Sequence, residues 1–200
     1  MSIIWRPAPS VFGNFTDCLY TFFKEEEAAD DTKRYNPHMV LGNMTMGVGF
    51  DFVAGGKVVR VEVLKGLGLK YDEYVDAQEG TTGYIERSYI QQLQAAMLSG
   101  NISEVNRIMK NRYEDSRLDS IIPQSERRPE FRFYSDAEVK AVYLELWETV
   151  YSKRIDNALP VIRMDPAFYQ SMELIALASR TWNASINKDL KEAILNGNRE

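Results

Sequence analysis

The stretch Met44-Thr45-Met46-Gly47-Val48-Gly49-Phe50-Asp51-Phe52 is followed, after a short break, by Lys57-Val58-Val59-Arg60-Val61-Glu62-Val63. Gly42, Gly47, Gly49, Gly55 and Gly56 punctuate the two runs. β-Branched and apolar residues between glycine turns predict a short antiparallel sheet with a hairpin near Gly55-Gly56. No other part of the chain carries a strong strand signal.

Toward the N-terminus, 10–24 reads as a helix entry and body. Phe12, Phe15, Leu19, Phe22 and Phe23 recur at three- and four-residue spacing, the period of a helix that turns one face to a core. Glu25-Glu26-Glu27 closes it, and the polar stretch 28–34 follows. Beyond the glycine-rich region, from Tyr84 on, the pattern is helical. One helix covers 84–98 and stops at Gly100; another covers 103–112 and opens at Ser103. The polar segment 115–133 carries Pro123 and Pro129 and reads as a loop. Ser135-x-x-Glu138 forms a capping box ahead of Val139, Val142, Tyr143, Leu146, Trp147, Val150 and Tyr151, so a long amphipathic helix is expected over 136–158. Asp165-Pro166 supplies an N-cap and a first-turn proline for a helix through Leu174, Ile175, Leu177 and Ala178 to Trp182. A last helix starts near Asn187 and ends near Gly197. Helix, small sheet, then many helices is the order of an α+β chain with segregated parts. The expectation is a single domain over 1–200, with a small β-containing lobe over 25–70 and a helical lobe over 84–200.

A chain of 200 residues, 44% hydrophobic and 26% charged, has the material for one sizeable core or two lobes. Nothing in it has the composition of disorder. Its longest apolar run falls far short of the roughly 18 residues that span a bilayer. Met1-Ser2-Ile3-Ile4-Trp5-Arg6-Pro7 lacks a basic stretch followed by an apolar one, so no signal peptide is recognisable. A substrate outside the cytoplasm would then require delivery by a lysis pore, a virion or a secretion machine. Cys18 is the one cysteine and His38 the one histidine, which excludes an internal disulfide framework and a Cys/His zinc site. Cys18, beside Leu19, reads as a packed core thiol. The net charge of −5, from 29 acidic and 24 basic residues, argues against a nucleic-acid binder. It also runs against the cationic surface that speeds encounter with an anionic cell wall.

Three features carry chemistry: the acidic end of the first helix, Thr45 within Asn43-Met44-Thr45-Met46-Gly47-Val48-Gly49, and Asp51 six residues after Thr45. A glycosidase needs a protonated carboxyl group to donate to the leaving oxygen. An inverting one also needs a polar group or carboxylate that holds water on the opposite face of the sugar. A Glu at a helix end facing a glycine-rich β-turn supplies both, because the helix fixes the acid and the glycines let a sugar approach the backbone.

Tyr35-Asn36-Pro37 together with Gly42-Asn43-Met44-Thr45-Met46-Gly47-Val48-Gly49-Phe50-Asp51-Phe52 resembles the active-site stretch of phage-type, pesticin-like lysozymes. In that family a Tyr precedes a Gly-containing turn and then Thr-Ile-Gly-x-Gly, and pesticin-like members continue with an aromatic and an Asp. The upstream helix ending in Glu is similar. Downstream, Tyr169-Gln170-Ser171-Met172-Glu173-Leu174-Ile175-Ala176-Leu177-Ala178-Ser179-Arg180-Thr181-Trp182-Asn183 resembles the family's buried C-lobe helix, and 190–199 its next helix and Gly turn. The resemblance does not extend over 65–130.

The resemblance implies a lysozyme-like fold and a muramidase that hydrolyses the bond between N-acetylmuramic acid and N-acetylglucosamine. Its partners would be peptidoglycan glycan strands in the periplasm or cell wall, and it implies no cofactor and no metal. It assigns the general acid to Glu27 and the positioning of the attacking water to Thr45. Asp51 becomes the water-orienting carboxylate, and Tyr35 and Asn183 line the substrate cleft. Three consecutive Glu leave the register open; one helical turn from Phe23 favours Glu27, with Glu26 next. An acid at Glu27 should be kept protonated by burial against apolar neighbours. Inversion then requires the two carboxyl groups to stand about 6.5–9.5 Å apart. Two departures stand out: Ala28 occupies a position where the family has Gly, and Pro37 one where commoner phage lysozymes have Asp. Leu195-Asn196-Gly197-Asn198-Arg199-Glu200 falls where related domains still have helices to come. The C-terminal lobe is therefore abbreviated, cut, or completed by a further domain or a partner chain.

Plainer readings exist for each residue. Glu25 to Glu27 fit a solvated helix end, although three like charges there oppose the helix dipole. Thr45 fits an ordinary strand position, Asp51 a turn cap, and Asn183 a helix C-cap. Two other functions are open: a non-catalytic lysozyme-like docking part of a virion or secretion apparatus, and an unrelated inhibitor or binding module with an ordinary hairpin.

Overall fold

The computed structural model describes residues 14–27, 30–159, 167–183 and 188–195. Its elements in chain order are α1 (Phe15–Glu27), α2 (Asp31–Tyr35), β1 (His38–Val40), β2 (Asn43–Met46), β3 (Phe50–Asp51) and α3 (Gly56–Gly66). There follow α4 (Tyr71–Tyr74), α5 (Thr82–Leu98), α6 (Ile102–Glu114), α7 (Asp136–Leu146), α8 (Ser152–Ala158), α9 (Met172–Asn183) and α10 (Lys188–Leu195). The fold is α+β, mostly helical, with a three-stranded antiparallel sheet in the order β1-β2-β3. Two compact units divide the chain: 1–26 with 143–200, and 27–142. In the second of these units α5 and α6 group with the sheet.

In the first unit, Asn14 opens α1, its side chain accepting from the Asp17 N–H at 2.9 Å. Leu19 and Phe23, four apart, are buried with Cys18 and Tyr20, as an apolar stripe of helical period requires. Tyr20 and Phe23 pack against Tyr143 with ring centroids 5.6 and 5.1 Å away, both tilted, an arrangement that suits the ring quadrupoles. The expected helix over 136–158 is present. It runs through α7, a π-turn over Trp147–Tyr151 and α8. The expected N-cap at Asp165-Pro166 lies outside the described residues, and so does the expected helix end at Gly197.

The second unit holds the sheet. Val40 and Asn43 close a two-residue hairpin whose central residues, Leu41 and Gly42, have φ of 49° and 88°. Positive φ at both positions matches the right-handed twist of the strands. Along β2 and β3 the pleat sorts the side chains: Met44, Met46, Phe50 and Phe52 are fully buried on the core side. Gly47, at φ 66°, bridges β2 to β3, and a Cβ there would meet the Phe50 ring at 2.2 Å. Only glycine fits that position.

The hairpin expected at Gly55-Gly56 does not form. Lys57 to Val63 are helical, within α3. The chain leaves β3 through a turn in which the Val53 and Ala54 N–H groups donate to the Asp51 carboxylate, each at 2.8 Å. A run rich in β-branched residues loses only a few tenths of a kcal/mol per residue in a helix. That cost is offset because Val59, Val63, Leu64 and Leu67, at helical spacing, are all buried. The Arg60 guanidinium, buried on the same helix, donates to the Phe52 carbonyl and ties α3 to the end of the sheet.

Beyond α4, α5 is capped by Thr81, and α6 by Asn101 rather than at Ser103. Their apolar faces, Ile90, Leu93 and Met97 against Val105, Ile108 and Met109, are buried. Between them Glu86 and Arg112, both fully buried, form a two-pronged ion pair at 2.8 and 2.9 Å. The segment 115–133 has two single turns of 3-10 helix, over Ser116–Leu118 and Gln124–Glu126. The Arg128 guanidinium grips the Glu138 carboxylate at 2.9 and 2.8 Å, and Glu138 accepts the Tyr134 N–H at 2.8 Å. Ser135 caps the Glu138 N–H only weakly, at 3.4 Å, so the capping box works mainly through Glu138.

Candidate functional site

The sheet has a second face, and it carries the polar residues. Thr45 on β2 stands opposite His38 on β1 and opposite Asp51 on β3. Directly opposed residues of antiparallel strands put their side chains on the same face, so His38, Thr45 and Asp51 form one row across the sheet. The Phe52 N–H donates to the Met44 carbonyl at 3.1 Å. The alternation of antiparallel ladders then makes Thr45 and Asp51 a non-hydrogen-bonded pair, the closer kind, with Cα atoms about 4.5 Å apart.

Each member of the row differs in how it is held. Thr45 is 6% exposed, and its hydroxyl is buried with no hydrogen-bond partner among the described residues. A buried hydroxyl without a partner costs about 1–3 kcal/mol, which marks a group with unused bonding capacity. Asp51 is half-buried, and three donors meet its carboxylate: Val53 N–H and Ala54 N–H at one oxygen, the Asn43 amide at the other, each at 2.8 Å. It is thus a turn cap as well as a neighbour of Thr45. His38 is half-buried, and its Nδ1 lies 3.2 Å from the Asn36 carbonyl.

The remaining predicted residues are held in different ways. Tyr35 ends α2, half-buried, and its carbonyl accepts the Phe133 N–H at 2.9 Å. The Gly47 N–H donates to the Arg34 carbonyl at 3.0 Å, which fixes α2 against the glycine turn. Arg34 is itself buried, paired with Asp31 and, at 3.4 Å, with Asp136. Glu25, Glu26 and Glu27 close α1 and are all exposed, so among the described residues nothing supplies the apolar burial expected around the acid. Glu26 belongs to the first compact unit, while Glu27 begins the second. Asn183 is the last residue of α9, in the first unit, and its side chain lies outside the described atoms.

A cleft of about 470 Å³ opens beside Asn36 and Pro37, with Phe131, Lys110, Glu130 and Arg132 among its walls. Among the described residues no group of three His, Cys, Asp or Glu side chains is arranged to hold a metal ion, and no helix is long and apolar enough to cross a membrane. Sequence reasoning weighed His38 only together with Cys18, for a zinc site or a Cys-His pair, and missed its place in the row. The missing signal was β1 itself, a strand of three residues with no β-branched run to announce it. Comparison with protein-family models, with curated proteins and with solved structures finds no match to this chain.

Proposed function

We propose that the chain is a lysozyme-like muramidase, which hydrolyses the glycosidic bond between N-acetylmuramic acid and N-acetylglucosamine in peptidoglycan. One observation supports it above the others: Thr45 and Asp51 are cross-strand partners beside the Gly47–Gly49 turn, and the buried Thr45 hydroxyl has bonding capacity to spare. In this reading Thr45 holds the attacking water and Asp51, through the oxygen that Asn43 leaves half-used, orients it. Glu27 donates its proton to the leaving oxygen, with Glu26 as the alternative acid. Water adds from the opposite face, and the anomeric centre inverts. Because Glu27 is exposed in the free chain, bound glycan must supply the desolvation that favours the protonated, donating form. Tyr35 lines the path of the glycan, which the enzyme meets in the periplasm or cell wall.

The test is release of reducing sugar from purified peptidoglycan by the wild-type chain, Glu27→Gln, Glu26→Gln and Asp51→Asn. The expected result is wild-type activity, a loss of about 100-fold or more on replacing the acid, and a smaller loss for Asp51→Asn. A second reading is a non-catalytic lysozyme-like docking part of a virion or secretion apparatus. It is favoured by the commitment of the Asp51 carboxylate to its own turn and by the exposure of Glu27. A folded wild-type chain that releases no reducing sugar overturns the first reading for this chain, and leaves the second beside a catalytic domain that lacks its C-terminal part.

A further inference from the structure

The three hydrogen bonds at Asp51 leave open which group removes the proton from the water that attacks. Asp51 Oδ1 accepts two N–H groups and Oδ2 one amide, so most of its lone pairs are committed. On the other side of Thr45, and on the same face of the sheet, stands its other cross-strand partner, His38. We propose that His38 is the general base of this site. The proposal rests on the muramidase reading and assigns to this histidine a step that the reading leaves unassigned.

The tautomer follows from geometry. His38 Nδ1 lies 3.2 Å from the Asn36 carbonyl oxygen, and a carbonyl only accepts, so Nδ1 carries the hydrogen. In the neutral ring Nε2 then carries the lone pair. Water held by the Thr45 hydroxyl passes a proton to Nε2 as its oxygen bonds to the anomeric carbon. The glycosidic C–O bond breaks, and the leaving oxygen takes the proton of Glu27. Imidazolium then returns its proton to solvent and the Glu27 carboxylate takes one up, so the net change is addition of one water. β2 brings no titratable group to this face, and β3 brings Asp51. On α2 the guanidinium of Arg34 is held by Asp31 and Asp136. Lys110, Glu130 and Arg132 line the cleft beside Asn36 and Pro37.

The experiment uses the full chain on purified peptidoglycan, with His38→Gln and His38→Ala. For His38→Gln the expected result is a kcat lower by about 10²–10⁴-fold at unchanged KM, with loss of the acid limb of the pH profile. Added imidazole should restore activity to His38→Ala, which a merely structural role would not allow. A third readout needs no variant. His38 is the only histidine, so its imidazole proton gives one NMR titration, whose midpoint should equal that of the acid limb of wild-type kcat/KM. Unequal midpoints overturn the proposal, as does a folded His38→Gln chain with wild-type kcat and pH profile; in both cases the muramidase reading stands. A wild-type chain without activity overturns that reading, and His38 with it.

Discussion

The residues that hold this chain together and those proposed to do its chemistry differ in how their polar groups are satisfied. Glu86 and Arg112 are fully buried and satisfy each other through two hydrogen bonds, while one guanidinium nitrogen of Arg112 has no partner among the described residues. Glu86→Gln should therefore lower unfolding free energy by about 3–5 kcal/mol, because it strands a buried cation. The double change Glu86→Leu with Arg112→Met should cost far less. Urea midpoints of the three chains decide it, and equal losses for single and double changes would contradict the account. Asp115 behaves differently. The Arg117 guanidinium above all, with the Tyr89 hydroxyl, holds its carboxyl down at about 2. A carboxyl held below its unfolded value, about 3.9, adds stability above that pH and loses it as pH falls toward 2. Asp115→Asn should flatten the fall in stability between about pH 4 and 2; an unchanged slope would show that other carboxylates carry it. At this scale the place of Thr45 and Asp51 in strands was legible from sequence, since they alternate with Met44, Met46, Phe50 and Phe52 at the period of a strand. The pairing of Thr45 with His38 was not, because it depends on where the hairpin turns.

That turn is the clearest strain among the elements. Leu41 is the one non-glycine at positive φ among the described residues, and its side chain is fully exposed. An L-residue in the left-handed region costs roughly 1–2 kcal/mol, and an exposed leucine regains little of it. Leu41→Asn should therefore raise the melting temperature by about 2–4 °C per kcal/mol recovered. A lower melting temperature would mean that Leu41 makes a contact the fold needs. The elements also show where local pattern misleads. Lys57 to Val63 has the residue types of a strand, yet it forms α3, because the turn capped by Asp51 and the burial of Val59, Val63 and Leu64 decide its conformation. The long helical run through α7 and α8 was legible because its apolar period is sustained over several turns, and a π-turn in its middle leaves that period nearly intact.

For the whole molecule, composition and element order were enough to give an α+β chain, and the structure has that class. The division into units was not legible, since a contact between distant segments such as Phe23 and Tyr143 leaves no trace in local pattern. The net charge of −5 gives no electrostatic attraction to an anionic wall, so a muramidase built on this chain depends on delivery close to its substrate rather than on steering. The most direct measurement is to digest purified peptidoglycan with the wild-type chain, reduce the products with borohydride, hydrolyse them in acid and identify the reduced amino sugar. Cleavage after N-acetylmuramic acid yields muramitol, which the account predicts. Glucosaminitol, anhydro-muramyl products or no new reducing end would contradict it.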